Sequence, residues 1–164
     1  MSVQIRDRIS PALSRLAKGI ENKKPILEAM GLQLESLTKR AFNEPALRPR
    51  PWPNKRDGSP ATLRKNQVLV RSIRIVALTN THVTVGTDRI YAAIHQLGGV
   101  IRPKNARALA FQVGGHLVFA QKVTIPARPY FPFLEGRMID SARRKIEAVG
   151  EAKIRSLLGG TTSA

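Results

Sequence analysis

The chain has 164 residues, 42% of them hydrophobic, which suits one domain with a real core. Lys and Arg number 28 against 11 Asp and Glu, and the excess is spread: 16 basic and 6 acidic residues in 1–80, 12 and 5 in 81–164. The net charge of +17 favours polyanions or an acidic protein surface as partners, with a merely solvated basic surface as the bland alternative, and the absence of cysteine excludes disulfides and thiolate metal sites.

The start, Met1-Ser-Val-Gln-Ile-Arg, lacks the long apolar core of a signal peptide, and no window approaches the ~20 apolar residues of a membrane span. A soluble protein kept in a cytoplasm is the expectation. One domain over 1–164 is expected, beginning with an arm and short helix in 1–23. Ile5, Ile9, Leu13, Leu16 and Ile20 lie on one helical face, and Ser10-Pro11 gives a start signal for a helix at 11–18. Residues 3–9 fit either helix or extended arm.

The next helix is expected over 24–42, with Asn22 as cap, Pro25 tolerated in the first turn, and Ile26, Met30, Leu34, Leu37 and Ala41 as an apolar stripe. Residues 43–66 then hold five prolines, an Asp-Gly and the only tryptophan, so they read as a long loop. This loop is basic: Arg48, Arg50, Lys55, Arg56, Arg64 and Lys65, with Trp52, are candidate contacts to a partner or to DNA phosphates. A loop of this length is either functional or a solvated excursion.

Strands follow. Residues 69–78, LVRSIRIVAL, are expected to pair through a Thr79-Asn80-Thr81 turn with HVTVGT at 82–87. YAAIHQL at 91–97 reads as a short helix stopped by Gly98-Gly99, with Tyr91, Ile94 and Leu97 packing on the sheet. ALAFQV at 108–113, a Gly114-Gly115 turn and HLVFAQKVTI at 116–125 suggest a second hairpin. PARPYFPF is too proline-rich for a central strand, 135–158 reads as a helix, and 159–164 as a flexible tail. The expected class is α+β: an antiparallel sheet with N-terminal helices and a C-terminal helix packed on it.

Chemistry is hard to find. There is no Gly-x-Ser-x-Gly, P-loop, GxGxxG or HExxH, and His82, His95 and His116 have no metal-ligand spacing. His82 and His116 each look like the first residue of a strand, and Glu135 and Asp140 like caps near a helix start. No catalytic, metal or cofactor site is expected. Few aromatics interleave with the cations, which argues against a stacking platform for single strands.

Read in order, the pieces KRAFNE, RPRPWPNKRDGSPATL, LVRSIRI, HVTVGT, IYAAIHQLGGVI, ALAFQV and VTIPARPYFPF, before a basic C-terminal helix, resemble the phage virion morphogenesis family. These are the tail completion proteins of contractile-tailed phages and prophages. YAAIHQLGG and IPARPYF carry most of the match, which spans about residues 24–155. Two places depart from the family pattern: NQVLVRSIRI, where a leucine-glycine step is usual, and Tyr130-Phe131-Pro132, where Phe-Leu-Gly is common.

The resemblance implies a structural virion protein of the tail or neck and no enzyme. It implies a ring, commonly of six copies, that finishes the tail, meets neck, tail tube and sheath proteins, and lets genome DNA pass, with no membrane partner. It would be assembled in the host bacterial cytoplasm. The loop at 43–66 would then order on assembly. Tyr91, His95, Gln96, Gly98, Gly99, Pro126, Arg128 and Pro129 become a structural motif. His95 and Gln96 would satisfy backbone groups where the chain turns, or His95 would touch a neighbouring subunit. Arg128 would bond within the fold or across an interface. A free, non-specific DNA-binding protein is the competing reading.

Overall fold

A computed structural model of the protein describes residues 21–159, apart from Lys65 and Gly114. The expected helix at 11–18, the arm before it, the residues after 159 and the contact expected of Lys65 lie outside the described residues.

Helix α1 (Lys24–Arg40) carries Pro25 in its first turn and Lys39 and Arg40 in its last, as the sequence suggests. Its start is tied down from afar. The Asn80 side chain, in the turn of the following hairpin, accepts the Lys23 N–H at 2.6 Å, while Asn22 makes a longer bond of 3.3 Å to the Lys24 N–H. One face of α1 meets the C-terminal helix, and its other face meets the first hairpin.

That hairpin follows a short helix, α2 (Val68–Ser72). Strand β1 (Arg74–Leu78) then pairs antiparallel with β2 (Val83–Gly86). The expected single strand over 69–78 is thus half helix. The reason lies in which residues are buried: Leu69, Ser72 and Ile73 are, and they stand at i, i+3 and i+4. The Ser72 hydroxyl donates back to the Leu69 carbonyl at 2.7 Å, closing the helical turn. Alternation begins only at Arg74.

Helix α1 lies close on this hairpin because Gly31 has no side chain: a Cβ there would stand 2.5 Å from Val83 Cγ2. Glu35 fixes the register of helix on strand. One carboxylate oxygen accepts the Ile75 N–H at 3.1 Å and the other pairs with Lys39 at 2.7 Å.

Helix α3 (Ala92–Leu97) and strand β3 (Gly99–Ile101) come next. Strands β4 (Leu109–Val113) and β5 (His116–Ala120) form the second hairpin. The run 116–125 does not continue as one strand. It breaks at Gln121-Lys122, and β6 (Val123–Ile125) pairs with β3 instead. A tiny hairpin, β7 (Phe133–Leu134) with β8 (Arg137–Met138), turns through Glu135 and Gly136, both at positive φ. Glu135 is therefore a turn residue and not a helix cap. Helix α4 starts at Asp140 and runs to Gly159.

The class is α+β, but the described strands form four separate two-stranded ribbons and not one sheet. The C-terminal helix packs on α1 and not on a sheet. Leu37, Ala142 and Ile146 form that helix–helix core, where Met30 lies against Gly150. A second core joins Phe42, Trp52, Leu69, Ile73, Ala92 and Tyr130.

Ile73→Ala is expected to cost about 2–5 kcal/mol, because the side chain is fully buried and leaves a cavity. Val76→Ala, on the outward face of β1 and 51% exposed, should change stability by about 0.5 kcal/mol or less. Urea midpoints of the two variants check this; similar losses would refute the helix-to-strand switch at residue 73.

Candidate functional site

The second core is built around a segment that cannot bond like a strand. In Pro126-Ala-Arg-Pro-Tyr-Phe-Pro132 three residues lack an N–H. Three of the four donors that remain are met by α3. The Arg128 N–H donates to the His95 carbonyl at 2.7 Å. Gln96 Oε1 accepts both the Tyr130 and the Phe131 N–H at 3.0 Å, and Gln96 Nε2 reaches back to the Phe131 carbonyl at 3.4 Å. Tyr130 completes the link, its hydroxyl donating to the Ala92 carbonyl at 3.2 Å. Burial first, and then Tyr91, push its phenol up to about 12, so it stays a donor.

Gly98 makes this approach possible. It sits at φ +74°, and a Cβ there would lie 2.7 Å from the Ala127 nitrogen and 3.1 Å from the Ile125 carbonyl oxygen. The two stretches singled out in the sequence thus bond to each other. Gln96 satisfies backbone groups as expected. His95 contributes its carbonyl and not its ring: Nδ1 is buried and has no hydrogen-bond partner among the described residues, and the ring stands edge-on to Tyr91 at 5.9 Å. The expected inward stripe of Tyr91, Ile94 and Leu97 is also corrected. Ala92 is the buried residue of α3, and Tyr91 and Leu97 face outward, because Gln96 and the Ala92 carbonyl must point at the proline segment.

The same segment holds the long loop. Arg128 donates from Nε to the Pro53 carbonyl and from Nη2 to the Asn54 carbonyl, both at 2.9 Å. Trp52 Nε1 donates to the Pro129 carbonyl at 2.8 Å, and its ring meets Phe42 edge-on at 5.8 Å. Arg48 lies 3.8 Å over the Trp52 ring and donates to the Ala41 and Phe42 carbonyls at the end of α1. So Trp52 and Arg48, expected as contacts to a partner or DNA, are spent inside the fold. The indole is buried, and desolvation lowers the pKa of Arg48, as it does that of Arg128. The part of the loop near Trp52 is docked within the chain.

The remaining loop cations differ. Arg50, Lys55 and Arg56 are exposed and make no ion pair among the described residues. Arg64 bonds the Asn43 side chain. Lys55, Arg56 and Arg64 help line an open cleft of about 870 Å³, together with Leu69, His95, Val113 and Arg128. The cleft brings no nucleophile against a base. Among the described residues no group of acidic or histidine side chains could hold a metal ion, and no helix is long and apolar enough to cross a membrane.

The linked motifs are a framework for the fold, and they lie within the stretch that comparison picks out. The model of the phage virion morphogenesis family matches residues 6–153. The chain belongs to that family. A relative from Haemophilus influenzae, Mu-like prophage FluMu G protein 2, is 34% identical over 124 residues, covering 74% of this chain and 75% of its own length. No solved structure matches the chain. As a virion morphogenesis protein it has a phage structural role, and the resemblance read from YAAIHQLGG and IPARPYF holds.

Two outcomes test the framework. Gln96→Leu strands two buried N–H groups and is expected to cost about 1–3 kcal/mol for each. Gln96→Glu keeps both acceptor bonds and should lose clearly less, as read by urea unfolding. The second outcome concerns His95. Burial, and then the Arg128 charge, hold its pKa below the ordinary 6.5, so the fold favours the neutral ring. The unfolded chain takes up a proton first as pH falls. The stability from this group is present above 6.5 and lost as pH drops through the depressed folded value. The urea midpoint should therefore fall between about pH 7.5 and pH 5.5, and His95→Gln should flatten that fall; an equal fall in the variant would refute the assignment.

Proposed function

We propose that this virion morphogenesis protein completes the tail at the neck, as a ring of about six copies through which the genome passes. It works by contact and carries no enzymatic activity. Its neighbours in this reading are further copies of itself and the neck, tube and sheath proteins of a contractile tail. It acts in the virion and is assembled in the host cytoplasm.

The observation that carries the reading is the state of the strands. Each described ribbon has only two strands, so each leaves edges unpaired. Isolated ribbons of that kind are marginal alone and are completed by added strands or packing. A subunit made to be finished by neighbours would have this form. The exposed loop cations Arg50, Lys55 and Arg56 suit a structure through which a polyanion moves, and they also favour the second reading, a free DNA-binding protein.

Salt separates the two. Copies of a chain with net charge +17 repel, so ring formation should strengthen as salt screens them, whereas duplex binding should weaken steeply. The mass of the purified protein is measured at about 0.05 and 0.5 M salt, with duplex DNA and with tail tubes. A closed oligomer favoured by salt, or formed on tubes, is expected. A monomer under every condition that binds duplex with affinity collapsing in salt would replace the ring by the DNA-binding reading.

A further inference from the structure

Two stretches of this strongly charged chain carry no Lys, Arg, Asp or Glu at all: 90–101, between Arg89 and Arg102, and 108–121, between Arg107 and Lys122. Both expose large apolar side chains. In the first, Ile90 is 99% exposed and Leu97 76%, with Val100 beside them in sequence on β3. In the second, Phe119 is 66% exposed and Leu117 60%. The pairing register puts Phe119 opposite Ala110 and Leu117 opposite Gln112, on one face of the β4–β5 ribbon. The opposite face, with Leu109, Phe111 and Val118, is only half buried. Among the described residues the ribbon packs substantially on no other helix or strand, so it stands out with two free edges and an apolar outer face.

We propose that the β4–β5 ribbon is an arm that docks head-to-tail on the Ile90–Ile101 surface of the next copy of this chain. This rests on the ring reading and names its contact. The missing charges decide the occupant. A nucleic acid would need cations where these two surfaces have none. An acidic protein partner would likewise gain nothing from them. A second copy, itself strongly positive, can approach only where neither side presents charge, and these two stretches meet that condition. A closed ring also needs two different surfaces on every copy, one given and one received. The ribbon supplies the first and α3 with β3 the second. The proline-segment framework fixes the receiving surface, since α3 is bonded to 128–131 through His95 and Gln96.

The test uses the full chain and two variants, Phe119→Lys on the ribbon and Leu97→Lys on the receiving surface. Lysine is chosen because a carboxylate could pair with the flanking cations. Both positions are exposed, so folding should survive; circular dichroism checks it, and Leu117→Lys and Ile90→Lys stand in for a variant that fails. By sedimentation velocity over a concentration series, each variant should raise the concentration of half-assembly about tenfold or more. An equimolar mixture should form dimers and nothing larger, because one intact ribbon then meets one intact receiving surface. Loss with Phe119→Lys but not with Leu97→Lys would overturn the head-to-tail pairing. A mixture that stays monomeric would overturn it as well. A wild type that assembles while both variants match it would overturn the arm and leave the ring standing. A wild type that stays monomeric with and without tail tubes would overturn both.

Discussion

The structure hangs on one exchange of hydrogen bonds: a helix supplies what a proline-rich segment cannot get from a sheet. Pro126, Pro129 and Pro132 set the direction of the chain and remove three donors. The N–H groups of Arg128, Tyr130 and Phe131 then point to α3, where the His95 carbonyl and the Gln96 side chain receive them. Left unpaired in a buried place, each would cost about 1–3 kcal/mol. Everything nearby follows. Tyr130 is held in the core, Arg128 is aimed at the loop carbonyls, and Trp52 finds the Pro129 carbonyl. Gly98 is the steric condition for all of it, since any side chain there would strike the Ala127 backbone.

This explains why two short motifs, well separated in the chain, carry the family likeness. Each is half of a joint, and the joint also binds the long basic loop. A proline-rich loop pays a large ordering entropy unless something holds it. Here the hold comes from a guanidinium on two carbonyls and an indole with a cation over its face. Arg128 is buried with carbonyl partners, and burial and that cation lower the pKa of the nearby His95 ring, which disfavours a further charge beside it.

Periodicity and punctuation place α1 and α3. The stripe from Ile26 to Ala41 and the Thr79–Thr81 turn fall where they were read, and the α+β class holds. Local pattern failed where partners distant in sequence chose the conformation. LVRS looked like strand because Leu and Val are β-compatible, yet burial of Leu69, Ser72 and Ile73 on one side winds it into a helical turn. Positive φ at Glu135 moved the helix start to Asp140; Glu-Gly before a helix was the readable sign. The site was legible as a pair of motifs, but not which atoms meet. Arg48 and Trp52 look like surface contacts by charge and loop composition, and only the fold turns them inward. Their place in one short run, Arg-Pro-Arg-Pro-Trp, was the available hint, since a lone tryptophan among prolines and arginines has few other ways to leave water.

The open ribbons also have a cost in time. Between synthesis and incorporation into a virion, a chain with free strand edges and bare apolar faces is exposed to pairing with the wrong partner, and disordered aggregates grow by that route. Arg102, Arg107 and Lys122 stand at the ends of the two uncharged stretches, with Arg89 paired to Asp88 at the remaining end, and flanking charges of this kind oppose aggregation. They penalise stacking of copies in arbitrary register while leaving the middle of each stretch bare. In the proposed ring the high positive charge sets a waiting period: it keeps the subunits apart until the geometry that excludes it from the contact is found.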